Sequence, residues 1–310
     1  MLRVLRCAAV LLTMVPSVAF AGDAPGDGAP ARGVLLLAHG GRAEWNANVE
    51  AIAADVDRQV PTAVAFGMAD RKAIAAAVDA LVDRGVGEIV AVPLFVSSHS
   101  SVLTATEFLL GLRPTAPPEL AMFARMSHGA GGGSQADQSH QGHSPDPEAM
   151  TPISSPVPIR MTPALDAHPL LADILATRAA ALSTRPEREV VVLVAHGPTS
   201  EEDDRRWKAN LDAVSRLVAQ AVPFASVRAM TVRDDAPPEV YALAAARLRS
   251  FVDGATSAGA RVLVVPVLLS FGGIEDGIRQ RLEGLSYAFS ETALAPDARL
   301  VTWVLAQAAR

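Results

Sequence analysis

The chain has 310 residues, of which 50% are hydrophobic and 5% aromatic, and its formal net charge is −6. This length allows roughly two domains of 100 to 200 residues, and the composition predicts aliphatic cores. The acidic balance provides no general basic surface, which argues against nucleic acid as a partner.

The N-terminus has the three parts of a secretory signal peptide: two arginines, a short apolar stretch and the small-residue site Ala19-Phe20-Ala21. We predict a signal peptide over 1–21 that is cleaved after Ala21, a linker over 22–32, and a periplasmic or secreted protein. The apolar stretch is too short to favour a transmembrane helix, so we expect no membrane association after cleavage. Cys7, the single cysteine, lies within the signal, so we expect no disulfide, thiolate nucleophile or iron–sulfur cluster in the mature chain.

One strand motif occurs twice. Val34 to Ala38 ends in His39-Gly40, and Val191 to Ala195 ends in His196-Gly197. Each copy is a β-branched, apolar run, which is typical of a buried strand, and its glycine allows a sharp turn. Because open α/β sheets bind ligands at the carboxyl ends of their strands, both histidines stand at candidate sites.

The same elements follow each copy in the same order. Each first helix carries a tryptophan and, three residues later, an asparagine; these are Trp45 with Asn48 and Trp207 with Asn210. The further predicted elements are strands at 62–66 and 226–232, helices at 71–84 and 238–253, and strands at 88–96 and 261–269. This order predicts an α/β fold of two similar lobes from internal duplication, each a parallel sheet flanked by helices. We place the lobes at 33–184 and 188–310.

The first lobe contains a low-complexity, His-rich insertion at about 115–157. Its polar centre buries too little apolar surface to offset the entropy of ordering, and it carries His128, His140 and His143. These are candidate auxiliary ligands for Zn, Ni, Co or Cu; the alternative is a solvated linker with incidental histidines. We predict a fourth strand near 157–161 and a helix over 165–182 with Asp166 as its N-cap.

His99 lies shortly after the third strand of the first lobe. The first and third strands of a parallel sheet end at the same edge, so we expect His39 and His99 to converge and to bind a metal or accept protons. The alternative is a structural His39 and a capping or solvated His99. The matching stretch of the second lobe, 270–277, has no histidine, so His196 is the weaker candidate and a structural role fits it better.

No nucleophile elbow or phosphate-binding loop follows any strand, which argues against hydrolase and nucleotide-binding chemistry. A strand that ends in Ala-His-Gly, a third strand with Val-Pro-Leu-Phe-Val and a histidine soon after it together resemble the class II chelatases. More narrowly, the chain is similar to the sirohydrochlorin cobalto/ferrochelatase (CbiX-type) family in its two-lobed long form.

The resemblance implies a chelatase that inserts a divalent metal, Co, Fe or Ni, into sirohydrochlorin or a related tetrapyrrole. The metal is then a substrate and no organic cofactor is needed. The resemblance also implies that two histidines of one lobe face the metal; His39 matches the first and His99 is the candidate for the second. We expect Arg42 to bind substrate carboxylates.

The sequence departs from the family pattern at two places. The second family histidine follows the strand proline by eight residues, where this chain has Ser101, and His99 falls two residues earlier. A family glutamate after the second strand is replaced by Met68, which leaves Asp70 and Glu107 as candidate substitutes.

Two other functions remain open on these residues. One is a non-catalytic periplasmic protein that binds metal or tetrapyrrole with a chelatase fold and uses the His-rich insertion. The other is a periplasmic binding protein for a small solute. Such proteins do not need paired strand-end histidines, and their lobes usually exchange chain segments, so the sequence favours this function less.

Overall fold

The computed structural model describes residues 31–127 and 146–310. The predicted signal peptide and nearly all of the linker lie outside these ranges, as do His128, His140 and His143. Within these two ranges no helix is long and apolar enough to cross a membrane.

The first lobe follows the predicted alternation of strands and helices. Its elements are Arg32–Ala38 (β1), Ala43–Asp57 (α1), Thr62–Phe66 (β2), Arg71–Asp83 (α2), Glu88–Pro93 (β3), Ser101–Leu109 (α3), Leu120–Ser127 (α4), Ile159–Met161 (β4) and Pro169–Leu182 (α5). A short 3-10 turn at Pro147–Met150 precedes β4.

The second lobe repeats this order. Its elements are Glu189–Ala195 (β5), Glu201–Ala221 (α6), Ser226–Thr231 (β6), Pro238–Ser257 (α7), Arg261–Val267 (β7), Ile274–Arg281 (α8), Ala288–Phe289 (β8) and Ala298–Ala309 (α9). A 3-10 turn at Pro186–Arg188 joins the two lobes.

Each lobe contains a four-stranded sheet in which all neighbouring strands are parallel. The strand orders are β2-β1-β3-β4 and β6-β5-β7-β8. The registers also correspond, because Leu37 pairs with Pro93 in the first sheet and Val194 pairs with Pro266 in the second. The predicted fold class, an α/β protein of two similar lobes with parallel sheets, is confirmed.

Several element boundaries and part of the insertion differ from the sequence prediction; in the second lobe, β7 ends at Val267 rather than near residue 269 and α7 extends to Ser257 rather than residue 253. β3 ends at Pro93 rather than near residue 96, and α5 begins at Pro169 rather than near residue 165. The predicted insertion at about 115–157 contains α4 and the Pro147–Met150 turn, and Leu120 and Phe123 are buried in the core of the first lobe. The apolar residues at the start of that segment are therefore part of the core, although the average composition of the segment is polar.

The last helix of each lobe packs against the other lobe. α5 lies against α6 and β7 of the second lobe, whereas α9 lies against α1, β1 and β3 of the first. The boundary between the lobes in space therefore does not follow the boundary in the chain. The absence of exchanged segments was one reason to disfavour a solute-binding protein, and the exchanged helices remove that reason.

The exchange gives the two lobes one continuous apolar core. This core joins inward-facing residues of β1 and β5 to α5 and α9, with Leu36, Leu193, Ile174 and Trp303 among its fully buried members. The outer face of each sheet is covered within its own lobe, by α2, α3 and α4 in the first and by α7 and α8 in the second. Separation of the lobes would expose the shared core to water, which costs about 25 cal/mol per Å² of apolar surface.

Charged residues at the amino-terminal edges of the sheets hold the ends of the exchanged helices. Arg32 donates to the carbonyl oxygens of Ala308 and Ala309 at the end of α9, and Glu88 pairs with Arg32 at 3.0 Å. In the second lobe the two charges exchange strands: the acidic residue, Glu189, lies on β5 and the arginine, Arg261, lies on β7. Arg261 donates to the Leu182 carbonyl at the end of α5 and to Glu189. Cations at these positions are favourable, since the carbonyl end of a helix carries partial negative charge.

Glu189 is fully buried, and burial alone would raise its pKa. Hydrogen bonds from Ser183, from the backbone N–H groups of Thr184 and Arg185, and from Arg261 outweigh this effect and lower the pKa of Glu189 to about 2. The carboxylate is thus a stable anion in the folded protein and a weaker acid in the unfolded chain.

We predict that Glu189→Gln loses about 3 kcal/mol of folding free energy at pH 7. Because the folded pKa is depressed, the contribution of Glu189 is complete above the unfolded pKa near 4.5 and disappears as the pH falls towards 2. Urea unfolding of both proteins from pH 7 to pH 3 measures this difference. The exposed neighbour Glu187→Gln is the matched control and should change stability by less than about 0.5 kcal/mol. An equal loss at pH 7 and pH 3 would contradict the assignment.

Candidate functional site

His39 is the first residue after β1 and its side chain is exposed at the carboxyl edge of the first sheet. Its Nδ1 lies 2.9 Å from the carbonyl oxygen of Gly40. A carbonyl can only accept, so Nδ1 carries a proton, and Nε2 is the nitrogen left to bind a ligand. A histidine whose second nitrogen donates to a backbone carbonyl has the arrangement common in metal ligands. Gly40 has φ +79°, a conformation that favours glycine.

His99 lies in the loop between β3 and α3, and its backbone is held on both sides. Its N–H donates to Oγ of Ser97 at 3.2 Å, and its carbonyl accepts from Nε1 of Trp207 at 2.6 Å. Trp207 belongs to α6, so this bond crosses between the lobes. The His99 side chain is partly exposed.

Asp166 fixes the same loop from the other side. Its carboxylate accepts from the backbone N–H of Ser98 at 2.8 Å, from the Ser98 hydroxyl at 2.6 Å and from Nδ2 of Asn210 at 3.0 Å. Asp166 adopts φ +45°, a left-handed conformation that aspartate tolerates better than most residues. Three hydrogen bonds to one carboxylate are charge-assisted, which makes them stronger than neutral bonds.

The prediction that Asp166 caps α5 is wrong. The N-cap of α5 is His168, whose Nδ1 accepts from the Leu170 N–H at 3.2 Å, with Pro169 at the first helical position. Burial, and then the charge of Arg310, lower the pKa of His168, which favours the neutral ring that can accept this bond. The N–H of Asp166 donates to the Val96 carbonyl, and its carboxylate binds the Ser98 loop rather than the start of α5.

The structure places both His39 and His99 beyond the carboxyl ends of adjacent strands; that their side chains converge on one metal stays a prediction. In residues 31–127 and 146–310 no group of three or more His, Cys, Asp or Glu side chains is arranged to hold a metal ion. This edge of the sheet therefore offers at most a two-histidine site among the described residues. Such a site leaves coordination positions open for solvent or a second ligand.

His196, the equivalent of His39, has different surroundings. Its Nε2 lies 3.3 Å from Oδ2 of Asp235, so the nitrogen that is free in His39 faces a carboxylate here. The loop that follows is held by the buried Arg233, which donates to the carbonyls of Pro198 and Thr199. His196 thus belongs to a loop held by Arg233, and its structural role stays a prediction.

The counterpart of His99 in the second lobe is Gly272, since each lies six residues after the strand proline, Pro93 or Pro266. A Cβ at Gly272 would lie 3.2 Å from the indole of Trp45. Each lobe therefore has the tryptophan of the other lobe against the loop after its third strand. The loop holds a histidine in the first lobe only.

A protein-family model, CbiX, matches residues 33–182, which is about half of the chain and spans the first lobe through α5. The first lobe is a CbiX-family domain. The match ends where α5 ends, so the second lobe shares the element order of the CbiX-family lobe but lies outside the matched residues.

Solved structures show the same two-lobed fold. SirB from Bacillus subtilis with Fe³⁺ has a TM-score of 0.56 and 17% identity, over 89% of this chain and 93% of that one. The sirohydrochlorin chelatase SirB from Bacillus subtilis subspecies spizizenii in complex with cobalt has a TM-score of 0.53 and 13% identity, over 90% and 94%. DR2241 from Deinococcus radiodurans, described as structurally similar to chelatases with two additional domains, has a TM-score of 0.51 and 17% identity, over 91% and 55%. A search of curated proteins found no significant match.

Arg42, the candidate substrate-binding residue, lies between the CbiX-family lobe and the second lobe. It lines a cavity of about 320 Å³ together with Phe271, Glu275 and Glu291. Glu275 accepts from the N–H groups of the Gly272–Gly273 turn, and Glu291 pairs with Arg279. A third lining carboxylate, Glu44, has no ion pair among the described residues. In the described part of the chain no ion pair is found for Arg42, which is exposed and available to an anionic ligand.

The two candidate acidic helpers of the CbiX-family lobe have structural partners. Asp70 is the N-cap of α2 and accepts from the N–H groups of Lys72 and Ala73. Glu107 lies on α3 and forms a 3.8 Å ion pair with Arg113.

The residues that position the His99 loop were not assigned to the site from sequence. Trp207 and Asn210 were recognised as repeated residues, but nothing in their spacing indicated that they contact the opposite lobe. Asp166 was misassigned because an acidic residue near the start of a helix is most often its cap. Their role depends on contacts between residues far apart in the chain.

Proposed function

We propose that this protein inserts a divalent metal ion, Co, Fe or Ni, into sirohydrochlorin or a related tetrapyrrole. The observation that carries the proposal is the strand-end His39 of a CbiX-family lobe, with Nδ1 bonded to Gly40 and Nε2 unpaired among the described residues. Support also comes from SirB, which shares the fold and is described with Fe³⁺ and with cobalt.

Insertion requires the metal to lose solvent and two pyrrole N–H groups to lose their protons. His39 and His99 would hold the incoming ion; as the macrocycle takes over the metal, one histidine would accept the first pyrrole proton and the second proton would pass to solvent water. The imidazole of His39 suits both tasks, because its Nδ1 is bonded to Gly40 and its Nε2 lies in an exposed position where a large substrate can approach.

The macrocycle would bind between the lobes. Tetrapyrrole carboxylates need cationic partners, and Arg42 is an exposed guanidinium at the edge of the cavity between the lobes. Imidazole ligands serve Co, Fe and Ni alike, so the site is compatible with each of these metals.

We predict that His39→Ala lowers the rate of metal insertion at least about 100-fold, since it removes both a ligand and a proton acceptor. The matched His196→Ala changes the equivalent residue of the second lobe, whose Nε2 faces Asp235, and should cost less than about tenfold. Absorbance spectra of sirohydrochlorin with Co²⁺, Fe²⁺ and Ni²⁺ in separate reactions measure the rates. Full activity in His39→Ala would refute the proposed function.

The alternative, a non-catalytic binding protein, gives His128, His140 and His143 the main role. We expect a variant with residues 128–145 replaced by a Gly-Ser linker of equal length to retain turnover, because the proposed site lies at the sheet edge. Turnover and metal affinity by isothermal titration should be measured on the same preparations. An inactive wild-type protein whose metal affinity vanishes with the segment would favour the binding protein.

We also propose that the protein acts in the periplasm or outside the cell. The support is the sequence of residues 1–21, with its arginines, apolar stretch and Ala19-Phe20-Ala21 site. The mature protein isolated from a bacterial host should begin at Gly22 and occur in the periplasmic or extracellular fraction. A protein that begins at Met1 and stays in the cytoplasm would contradict this localisation.

A further inference from the structure

We propose that Trp207 and Asn210 of the second lobe are positioning residues for His99, so that the metal site of the first lobe is completed across the lobe interface. The inference deepens the proposed function, since it takes His99 as a metal ligand. Neither residue touches the metal; both act through the backbone that carries the imidazole.

The first observation is the bond between the Trp207 indole and the His99 carbonyl. The distance from Nε1 to O is 2.6 Å, and the indole is partly buried at the contact. The His99 N–H is bound to Ser97, whose side chain is buried in the first lobe. The peptide groups on both sides of the imidazole are therefore fixed, one by each lobe.

The second observation is the route from Asn210 to the neighbouring residue. The Asn210 amide donates to Asp166 at 3.0 Å, and the same carboxylate holds both the N–H and the hydroxyl of Ser98. The Ser98 hydroxyl in turn accepts from the N–H of Ala164 at 2.9 Å. Asn210 thus orients the carboxylate that fixes the residue directly before His99.

The third observation is that the equivalent residues make the reciprocal contact where no ligand exists. Asn48 donates to Ser270 at 2.9 Å, and Trp45 lies against Gly272. Both tryptophan–asparagine pairs therefore contact the opposite lobe near the loop after its third strand, the α1 pair by packing and one hydrogen bond and the α6 pair by two hydrogen bonds. Trp45 also packs against Gly41, in the loop after His39, through its Cβ and Cγ atoms, which a phenylalanine retains. Among the described residues only the pair in α6 forms hydrogen bonds to a histidine loop and to the carboxylate that holds it, so the two pairs separate the positioning of His99 from the general attachment of the lobes.

Loss of this support should weaken metal binding through a less ordered imidazole. A ligand with more conformations loses more entropy when it coordinates, and outer-shell partners typically change metal affinity. Two lost hydrogen bonds correspond to about a tenfold weaker affinity.

The test compares two double variants with the same amino-acid changes, W207F/N210A and W45F/N48A. Both are made in the full-length protein with His128, His140 and His143 replaced by alanine, so that those histidines do not contribute. Co²⁺ affinity is measured without tetrapyrrole, by isothermal titration and by the visible absorbance of the bound ion. Thermal unfolding is recorded for every variant, and W207F alone replaces the double variant if the latter does not fold.

We expect W207F/N210A to bind Co²⁺ about tenfold more weakly and W45F/N48A to stay within about twofold of the parent. In a H99A background the W207F/N210A change should have no further effect. Equal losses in both double variants, an undiminished loss in the H99A background, or a Co²⁺ affinity that does not depend on His99 would each overturn the inference. If the parent protein binds Co²⁺ through His99 but inserts no metal into sirohydrochlorin, the proposed function fails while the inference stands.

Discussion

The exchange of α5 and α9 between the lobes is the constraint on which the rest of the structure depends. Each helix buries its apolar face against the sheet of the other lobe, so the two inner faces become one core. Arg32 and Arg261 hold the helix ends at the sheet edges. Because this burial cannot be lost in one lobe alone, the carboxyl edges of both sheets are kept in a fixed relation. A site shared between the lobes needs such a fixed relation.

The two lobes have equivalent sheet edges, and small differences in sequence make these edges unequal. His39 has an unpaired Nε2 among the described residues, whereas Nε2 of His196 faces Asp235. His99 stands at the loop position that Gly272 occupies in the second lobe. The two lobes therefore have nearly the same fold, whereas the side chains at their carboxyl sheet edges differ. The second lobe still contacts the His99 loop, because Trp207 of α6 donates to the His99 carbonyl.

The repeated strands and helices could be read from local patterns. Apolar β-branched runs that end in His-Gly were correctly predicted as buried strands, and the order of elements gave the parallel sheets. The boundaries that failed were set by long-range contacts. Asp166 looked like a helix cap, but the loop after β3 binds its carboxylate, and His168 caps the helix instead. Leu120 belongs to a segment of polar average composition and is nevertheless buried.

The sequence by itself determined the two α/β lobes, the family of the first, and the placement of His39 and His99 at one sheet edge. These follow from hydrophobic periodicity and motif position, which are local along the chain. Only the tertiary structure decided which lobe each terminal helix covers and which protein groups surround each histidine. Those outcomes depend on contacts between residues far apart in sequence, such as Trp207 with His99. Hydrophobic periodicity shows which face of a helix is buried, but it does not show which sheet or helix that face contacts.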